Sequence, residues 1–150
     1  WSSQEHEHWI CFKEKTWIHT GGKNTIVKDI WKNVAPQDNF LESMAETCKS
    51  VIDYFKQENI AYINVANKMS IDCDCDPNPH PPELADNGIF ASLDPVAIDQ
   101  CCYDAVMNSP DPGKKSLINR MKEKHAIHTV EEAHRLGLGS REYEIINIDN

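Results

Sequence analysis

The stretch DPNPHPPELADNG, residues 76–88, constrains the fold of this chain more than any other, because four of its residues are proline. Proline has a fixed φ and no backbone N–H, so it interrupts both helices and sheet ladders. We therefore expect residues 76–88 to form a loop. Regular structure has to come from the segments that flank this loop.

Segments rich in β-branched and aromatic residues predict strands on both sides of the loop. Residues 60–67, IAYINVAN, indicate a buried strand, and residues 89–93, IFASL, indicate a short one. REYEIINID, residues 141–149, alternates polar and apolar side chains and is expected to form an edge strand. Further strands are predicted at WICF (9–12), TIVKDI (25–30) and MSIDCDC (69–75), with a turn at TGGKN (20–24).

Apolar side chains at helical spacing predict a helix over residues 39–57, with Asp38 as its N-cap. Cys48 lies in this apolar stripe, and we expect it to be buried, as free cysteines usually are. A second helix is predicted after Asp94, a good N-cap residue, with Pro95 at its first position.

Two more helices are predicted near the end of the sequence. One covers residues 114–124, and the other begins at a capping box of Thr129 and Glu132 and ends at Gly137. Mixed strands and helices indicate an α/β (or α+β) fold, a single mixed sheet with helices packed on it. We expect residues 1–150 to form a single domain, in which residues 1–30 are the part that the sequence defines least.

The chain is acidic, with 24 Asp and Glu against 15 Lys and Arg, which disfavours binding to nucleic acid or to an anionic membrane. It lacks the run of about 18 apolar residues that a membrane-spanning helix requires. Its first residues lack the pattern of a secretory signal. Six cysteines without such a signal favour a reducing compartment, so we expect a cytoplasmic protein.

The sequence DCDCD, residues 72–76, carries the strongest sign of chemistry. Side chains alternate along a strand, so Cys73 and Cys75 would share one face and Asp72 and Asp74 the other. Two thiolates on one face can bind one soft metal, which usually needs about four ligands.

We predict that Cys102 and His128 complete this metal site. Cys101 and Cys102 point in different directions from one helix, so one of them can face a site while the other fills the core. A zinc ion suits three sulfurs and one nitrogen, and an iron–sulfur cluster would suit the cysteines. Asp99 is expected to accept hydrogen bonds beside the thiols, and Asp72 and Asp74 to support the site in the same way.

Three other interpretations of these residues are open. Oxygen ligands fall at calcium-loop spacing from Asp72 to Glu83, but Pro77 occupies the position where that loop needs glycine. Cys73 and Cys75 could instead be a dithiol redox pair. In the last alternative the cysteines are structural, and the chain is a non-catalytic interaction module whose proline-rich loop contacts a partner.

The blocks DCDCD, ASLDPVAIDQ and HTVEEAHRLGLGSREYE together resemble the C-terminal part of a prokaryotic family of unknown function. Members of that family are typically classed as iron–sulfur proteins and often carry a ferredoxin-type module. The resemblance covers residues 31–149. Residues 1–30 hold only Cys11 and no C-x₂-C-x₂-C-x₃-C-P run, so the ferredoxin-type clusters do not carry over.

The resemblance implies a metal- or iron–sulfur-associated domain with a redox-related role, whose reaction it does not define. The positions that match the family and could carry function are Asp72, Cys73, Asp74, Cys75, Asp94, Asp99, Cys102 and His128. A redox partner protein and a homodimer are the expected partners.

Overall fold

The structure, a computed structural model, describes residues 17–23, 29, 31–72 and 78–149. Its elements in chain order are α1 (Gln37–Phe55), β1 (Tyr62–Ala66), β2 (Gly88–Ser92), α2 (Pro95–Asn108), α3 (Lys114–Glu123) and α4 (Ile127–Arg135). Short 3₁₀ helices occupy Trp31–Asn33 and Gln57–Asn59. No helix of the described ranges is both long and apolar enough to cross a membrane.

Strands β1 and β2 form an antiparallel pair in which Asn64 lies opposite Phe90. One face of the pair is partly buried and packs against α2, whereas Ile63 and Val65 on the other face are exposed. The predicted α/β class, with helices packed on a sheet, is therefore confirmed. The proline-rich loop is confirmed as well, because residues 78–87 contain no helix or strand.

Helix α2 begins where its sequence predicts. The Asp94 side chain is the N-cap, and its Oδ1 accepts hydrogen bonds from the backbone N–H groups of Val96 (2.8 Å) and Ala97 (2.9 Å). The second carboxylate oxygen, Oδ2, accepts from the N–H of Ser140 at 2.8 Å. One carboxylate thus caps the helix and ties it to a segment 46 residues further along the chain.

The hydrophobic core lies between α1, α2 and α4. Val96, Val130 and Leu138 form its buried centre, and Ile52 and Ile127 pack against them. Helix α1 packs along α4 and buries Leu41 and Ala45 as well. This core fixes α2, which in turn supports the sheet.

Two predictions about α1 and α4 are wrong. Asp38 does not cap α1, which begins at Gln37, and its carboxylate instead lies 2.7 Å from the ring of His125. Thr129 and Glu132 form no capping box, because α4 begins two residues before Thr129 and Glu132 pairs with Arg135.

Other elements also differ from expectation. Residues 142–149 form no strand, because they pair with no other strand in the described part of the chain. Residues 69–72 are not a strand either, and the rest of that prediction lies outside the described residues, as do the predicted strand at 9–12 and, apart from residue 29, the one at 25–30. The turn at residues 20–23 is confirmed, with positive φ values of 62° and 72° at Gly21 and Gly22.

Candidate functional site

Cys102 lies on the side of α2 that faces β1. The Asn64 side-chain amide donates a hydrogen bond to Asp99 Oδ1 at 2.9 Å, and the same nitrogen lies 3.5 Å from Cys102 Sγ. Asp99 and Cys102 are one turn apart on α2, so a single strand residue joins them. The structure therefore brings together two of the residues that the sequence predicted for a metal site, through Asn64, which the sequence did not single out.

The surroundings of Cys102 favour the protonated form of its thiol. Burial raises the pKa of this thiol, and the negative charge of Asp99 raises it further, against the lowering effect of the Asn64 hydrogen bond. A raised pKa opposes nucleophilic catalysis, which needs the thiolate. A metal could still bind Cys102 by displacing the proton, because metal binding and thiol deprotonation are coupled.

A second thiol, Cys48, lies near the same face of β1. The expectation that Cys48 is buried is wrong for the residue as a whole, which is exposed. The Cys48 thiol is nevertheless partly buried, and this burial raises its pKa. The negative charge of Asp99 raises the pKa further. The thiols of Cys48 and Cys102 therefore both lie within the electrostatic reach of Asp99.

The Tyr62 hydroxyl lies in the same region. It is buried and has no hydrogen-bond partner among the residues described. Burial raises the pKa of Tyr62, and the charges of Cys48 and Asp94 raise it further. The inner face of β1 thus presents a hydroxyl and an amide, from Tyr62 and Asn64, toward two thiols on different helices.

Asp72, directly before Cys73, fastens the two ends of the cysteine segment. Its Oδ2 accepts the backbone N–H of His80 at 2.8 Å and lies 2.6 Å from the ring nitrogen Nδ1 of the same residue. Arg120 of α3 lies 3.7 Å from Oδ1. The His80 backbone N–H is the largest cause that holds the pKa of Asp72 below its usual range. Asp72 therefore holds residues 72 and 80 together, and we call this pair of contacts the clasp.

His128 lies elsewhere. Its Nε2 is 3.2 Å from Glu42 Oε1 on α1, and its Nδ1 is 3.9 Å from Glu131 Oε2. It lines a shallow pocket together with Tyr103 and His125. The contacts of Cys102 are with β1 and those of His128 are with α1, so the structure does not join this predicted pair.

Across the described ranges, no three His, Cys, Asp or Glu side chains are grouped so that they could hold a metal ion. Cys73, Asp74 and Cys75 lie outside the described residues. The four-ligand set therefore stays a prediction.

A family model for a domain of unknown function, DUF362, matches residues 8–104. The chain belongs to the DUF362 family. No curated protein and no solved structure matches it.

The DUF362 match covers some of the candidate residues but not all of them. It includes α1, both strands and α2 as far as Asp104, and hence Cys48, Cys73, Cys75 and Cys102. His128 lies beyond it. The match also begins earlier and ends earlier than the resemblance over residues 31–149 predicted.

Proposed function

We propose that this DUF362 domain binds a soft metal, zinc or an iron–sulfur cluster, through Cys73, Cys75 and Cys102, and has a redox-related role with a partner protein. The observation that carries the proposal is the clasp at Asp72. Hydrogen bonds join residues 72 and 80, so the two ends of the segment that carries Cys73 and Cys75 are held together. Closing a loop in advance reduces the entropy that a metal site would otherwise have to overcome.

The described residues provide some of the ligands that the proposed metal site needs. They supply one thiol that faces the strand, Cys102, with Asn64 and Asp99 as hydrogen-bonding neighbours. The fourth ligand has two candidates. His128 would have to leave its contacts with Glu42 and Glu131, whereas Cys48, like Cys102, has a thiol whose pKa the charge of Asp99 raises. When bound, the metal would supply a thiolate-ligated structural or electron-transfer centre.

Metal analysis of the full chain purified without oxygen tests this proposal. We expect stoichiometric zinc or iron, lost in Cys73→Ser and in Cys102→Ser. Cys101→Ala is the matched control, because Cys101 is adjacent to Cys102 but buried in the core. Loss in Cys48→Ser with retention in His128→Gln would assign the fourth ligand to Cys48, and the reverse result would assign it to His128. Trace metal in the wild-type chain, unchanged in every variant, would refute the proposal.

We also propose the setting in which the domain works. A site built on reduced cysteines requires a reducing compartment, which supports a cytoplasmic location. The excess of acidic residues supports protein partners over nucleic acid.

A second candidate function is a non-catalytic interaction module, in which the cysteines are structural and the partner is a second copy or another protein. The observation that favours it is the set of exposed apolar side chains on the outer face of the sheet. This alternative predicts that the double variant Cys73→Ser, Cys75→Ser folds and associates like the wild-type chain. A large fall in melting temperature upon chelator treatment would contradict it.

A further inference from the structure

His80 is the histidine that lies nearest in the sequence to the two cysteines of residues 73–75. The clasp holds it against Asp72, the residue directly before Cys73. Consecutive Cα atoms are about 3.8 Å apart, so the cysteine segment begins beside this contact. His128, the histidine that the sequence predicted as a ligand, instead contacts glutamates of α1 and α4.

The backbone of His80 is fastened at both of its polar groups. Its N–H donates to Asp72 Oδ2 at 2.8 Å, and its carbonyl oxygen accepts a hydrogen bond from Ser70 Oγ at 2.8 Å. Prolines at positions 79 and 81 restrict the backbone on either side. The backbone of His80 thus holds the ends of the cysteine segment together, and the contact of its ring with Asp72 is additional.

That additional contact fixes the imidazole ring of His80. Its Nδ1 lies 2.6 Å from Asp72 Oδ2. An aspartate is ionised at neutral pH and then only accepts hydrogen bonds, so we assign the ring proton to Nδ1. In the neutral imidazole the other nitrogen, Nε2, then carries the lone pair. Metal-binding histidines have this arrangement, because the carboxylate fixes the tautomer and makes the ring a stronger ligand.

The His80 ring is 73% exposed, so packing in the core does not account for its orientation. The chain that follows it is firmly attached, since Leu84 is buried and the Ala85 N–H donates to Asp111 Oδ2 at 2.7 Å. A ligand on such an arm is held in place before the metal arrives. Metal coordination is stronger than a hydrogen bond, so Nε2 can bind a metal whatever contact it makes in the metal-free chain.

We propose that His80 Nε2 is the nitrogen ligand of the metal site, and that Asp72 is the positioning residue that orients its ring. The other three ligands are those proposed above, Cys73, Cys75 and Cys102. This inference rests on the proposed function and deepens it, because it names a third candidate for the fourth ligand. Three thiolates and one imidazole are a ligand set that zinc takes in tetrahedral geometry. Three of these four ligands come from residues 73–80, so they are brought together with little loss of loop entropy.

His125 is the matched control, because its ring is held in a similar way. Its Nδ1 lies 2.7 Å from Asp38 Oδ1, and its side chain is 58% exposed. It lies between α3 and α4 in the sequence, outside the cysteine segment. If a carboxylate beside an exposed ring were sufficient for metal binding, both histidines would respond to zinc, whereas the proposal predicts a response from His80 alone.

NMR spectra that correlate the ring protons and nitrogens of the histidines test the ligand directly. The reduced full chain is titrated with Zn²⁺ without oxygen, and zinc uptake and thiol accessibility are measured in parallel. We expect the Nε2 resonance of His80 to shift and to saturate at one zinc per chain, while Nδ1 keeps its proton. The ring resonances of His125 and His128 should stay in place.

Two failures of this experiment are distinguishable. Zinc that protects the thiols without shifting His80 Nε2, or that shifts a ring nitrogen of His128 instead, would overturn the inference and leave the thiolate site standing. A chain that takes up no zinc would refute the proposed function and the inference together. Neither result depends on a variant that has to fold.

The zinc dissociation constant, measured against a competing chelator, gives an independent readout. His80→Ala should raise it by roughly tenfold or more, and His125→Ala should leave it unchanged. His80→Cys supplies a fourth thiolate and should restore tight binding, which a purely structural role of the ring would not allow. An unchanged dissociation constant in His80→Ala, or no recovery in His80→Cys, would contradict the inference.

Asp72→Ala tests the positioning role. We expect zinc affinity to fall by roughly 10–100-fold, the usual effect of removing the carboxylate behind a histidine ligand. In the metal-free variant the His80 ring should exchange between its two tautomers, which NMR of the ring nitrogens detects. A ring that keeps its proton on Nδ1 in Asp72→Ala would overturn the role assigned to Asp72.

Discussion

Replacing Asp94 by alanine should destabilise the domain more than any other single change to a surface-accessible carboxylate in the described ranges. The side chain accepts backbone hydrogen bonds from Val96, Ala97 and Ser140. Loss of an N-cap costs about 0.5–2 kcal/mol. Loss of a hydrogen bond to a charged group costs about 1.5–3 kcal/mol. The free energy of unfolding should therefore fall by roughly 2–5 kcal/mol, the sum of the two terms.

Thermal unfolding followed by circular dichroism measures this effect. A loss of this size lowers the melting temperature of a chain of this length by roughly 5–15 °C. Asp94→Asn separates the two terms, because asparagine still caps the helix but its amide cannot accept from the N–H of Ser140. Its melting temperature should lie between those of Asp94→Ala and the wild-type chain. Asp149→Ala, an exposed acidic control, should have no effect. If Asp94→Ala unfolds at the same temperature as this control, the role assigned to Asp94 is wrong.

Three further predictions concern single residues. Gly139→Ala should lower the melting temperature by several degrees, because the added Cβ collides with the carboxylate of Asp94, and an unchanged value would contradict that close approach. Burial and the Asp104 carboxylate raise the pKa of Tyr143 to about 12, so its ultraviolet titration should occur above that of an ordinary tyrosine. The neutral phenol then stabilises the fold below pH 10, and this contribution is lost between about pH 10 and 12, whereas Tyr143→Phe should lose that pH dependence. Asp72 has a lowered pKa, so its clasp stabilises the loop above the pKa of an ordinary aspartate and is lost as the pH falls through the lower, folded value. Limited proteolysis between residues 72 and 80 should therefore increase in acid and in Asp72→Ala at neutral pH, and equal protection of the variant would refute the clasp.

Local signals in the sequence predicted much of the fold. The pair Asp94 and Pro95 marked the start of α2, because both the cap and the missing proline N–H act within one helical turn. The proline-rich loop was equally predictable, since proline excludes regular structure wherever it falls.

Features that depend on distant partners were not predictable in this way. The alternation in residues 142–149 indicates a strand, but a strand also needs a neighbouring edge, and the pattern does not specify one. Cys48 lies in the apolar stripe of α1 with Leu41 and Ala45, yet the elements that pack on α1 bury Leu41 and Ala45 and leave Cys48 exposed.

One part of the candidate site could be predicted from local sequence, and the other part depends on the fold. Asp99 and Cys102 share a face of α2 because of helical spacing, which the sequence contains. Their link to Asn64 spans 35 and 38 residues, and only the fold creates it. An amide on the inner face of an otherwise apolar strand was the signal that could have identified Asn64.

Cobalt substitution tests the central claim, the thiolate metal site, most directly. The full chain is reduced, stripped of metal with a chelator and titrated with Co²⁺ in the absence of oxygen. We predict an intense thiolate-to-cobalt charge-transfer band that saturates at one cobalt per chain, with visible bands typical of tetrahedral geometry. Cys102→Ser, in which we expect the metal to be lost, should not give this saturating band, and Cys101→Ala should leave the band unchanged. A wild-type chain that gives no charge-transfer band, or one that Cys73→Ser and Cys102→Ser leave intact, would contradict the account.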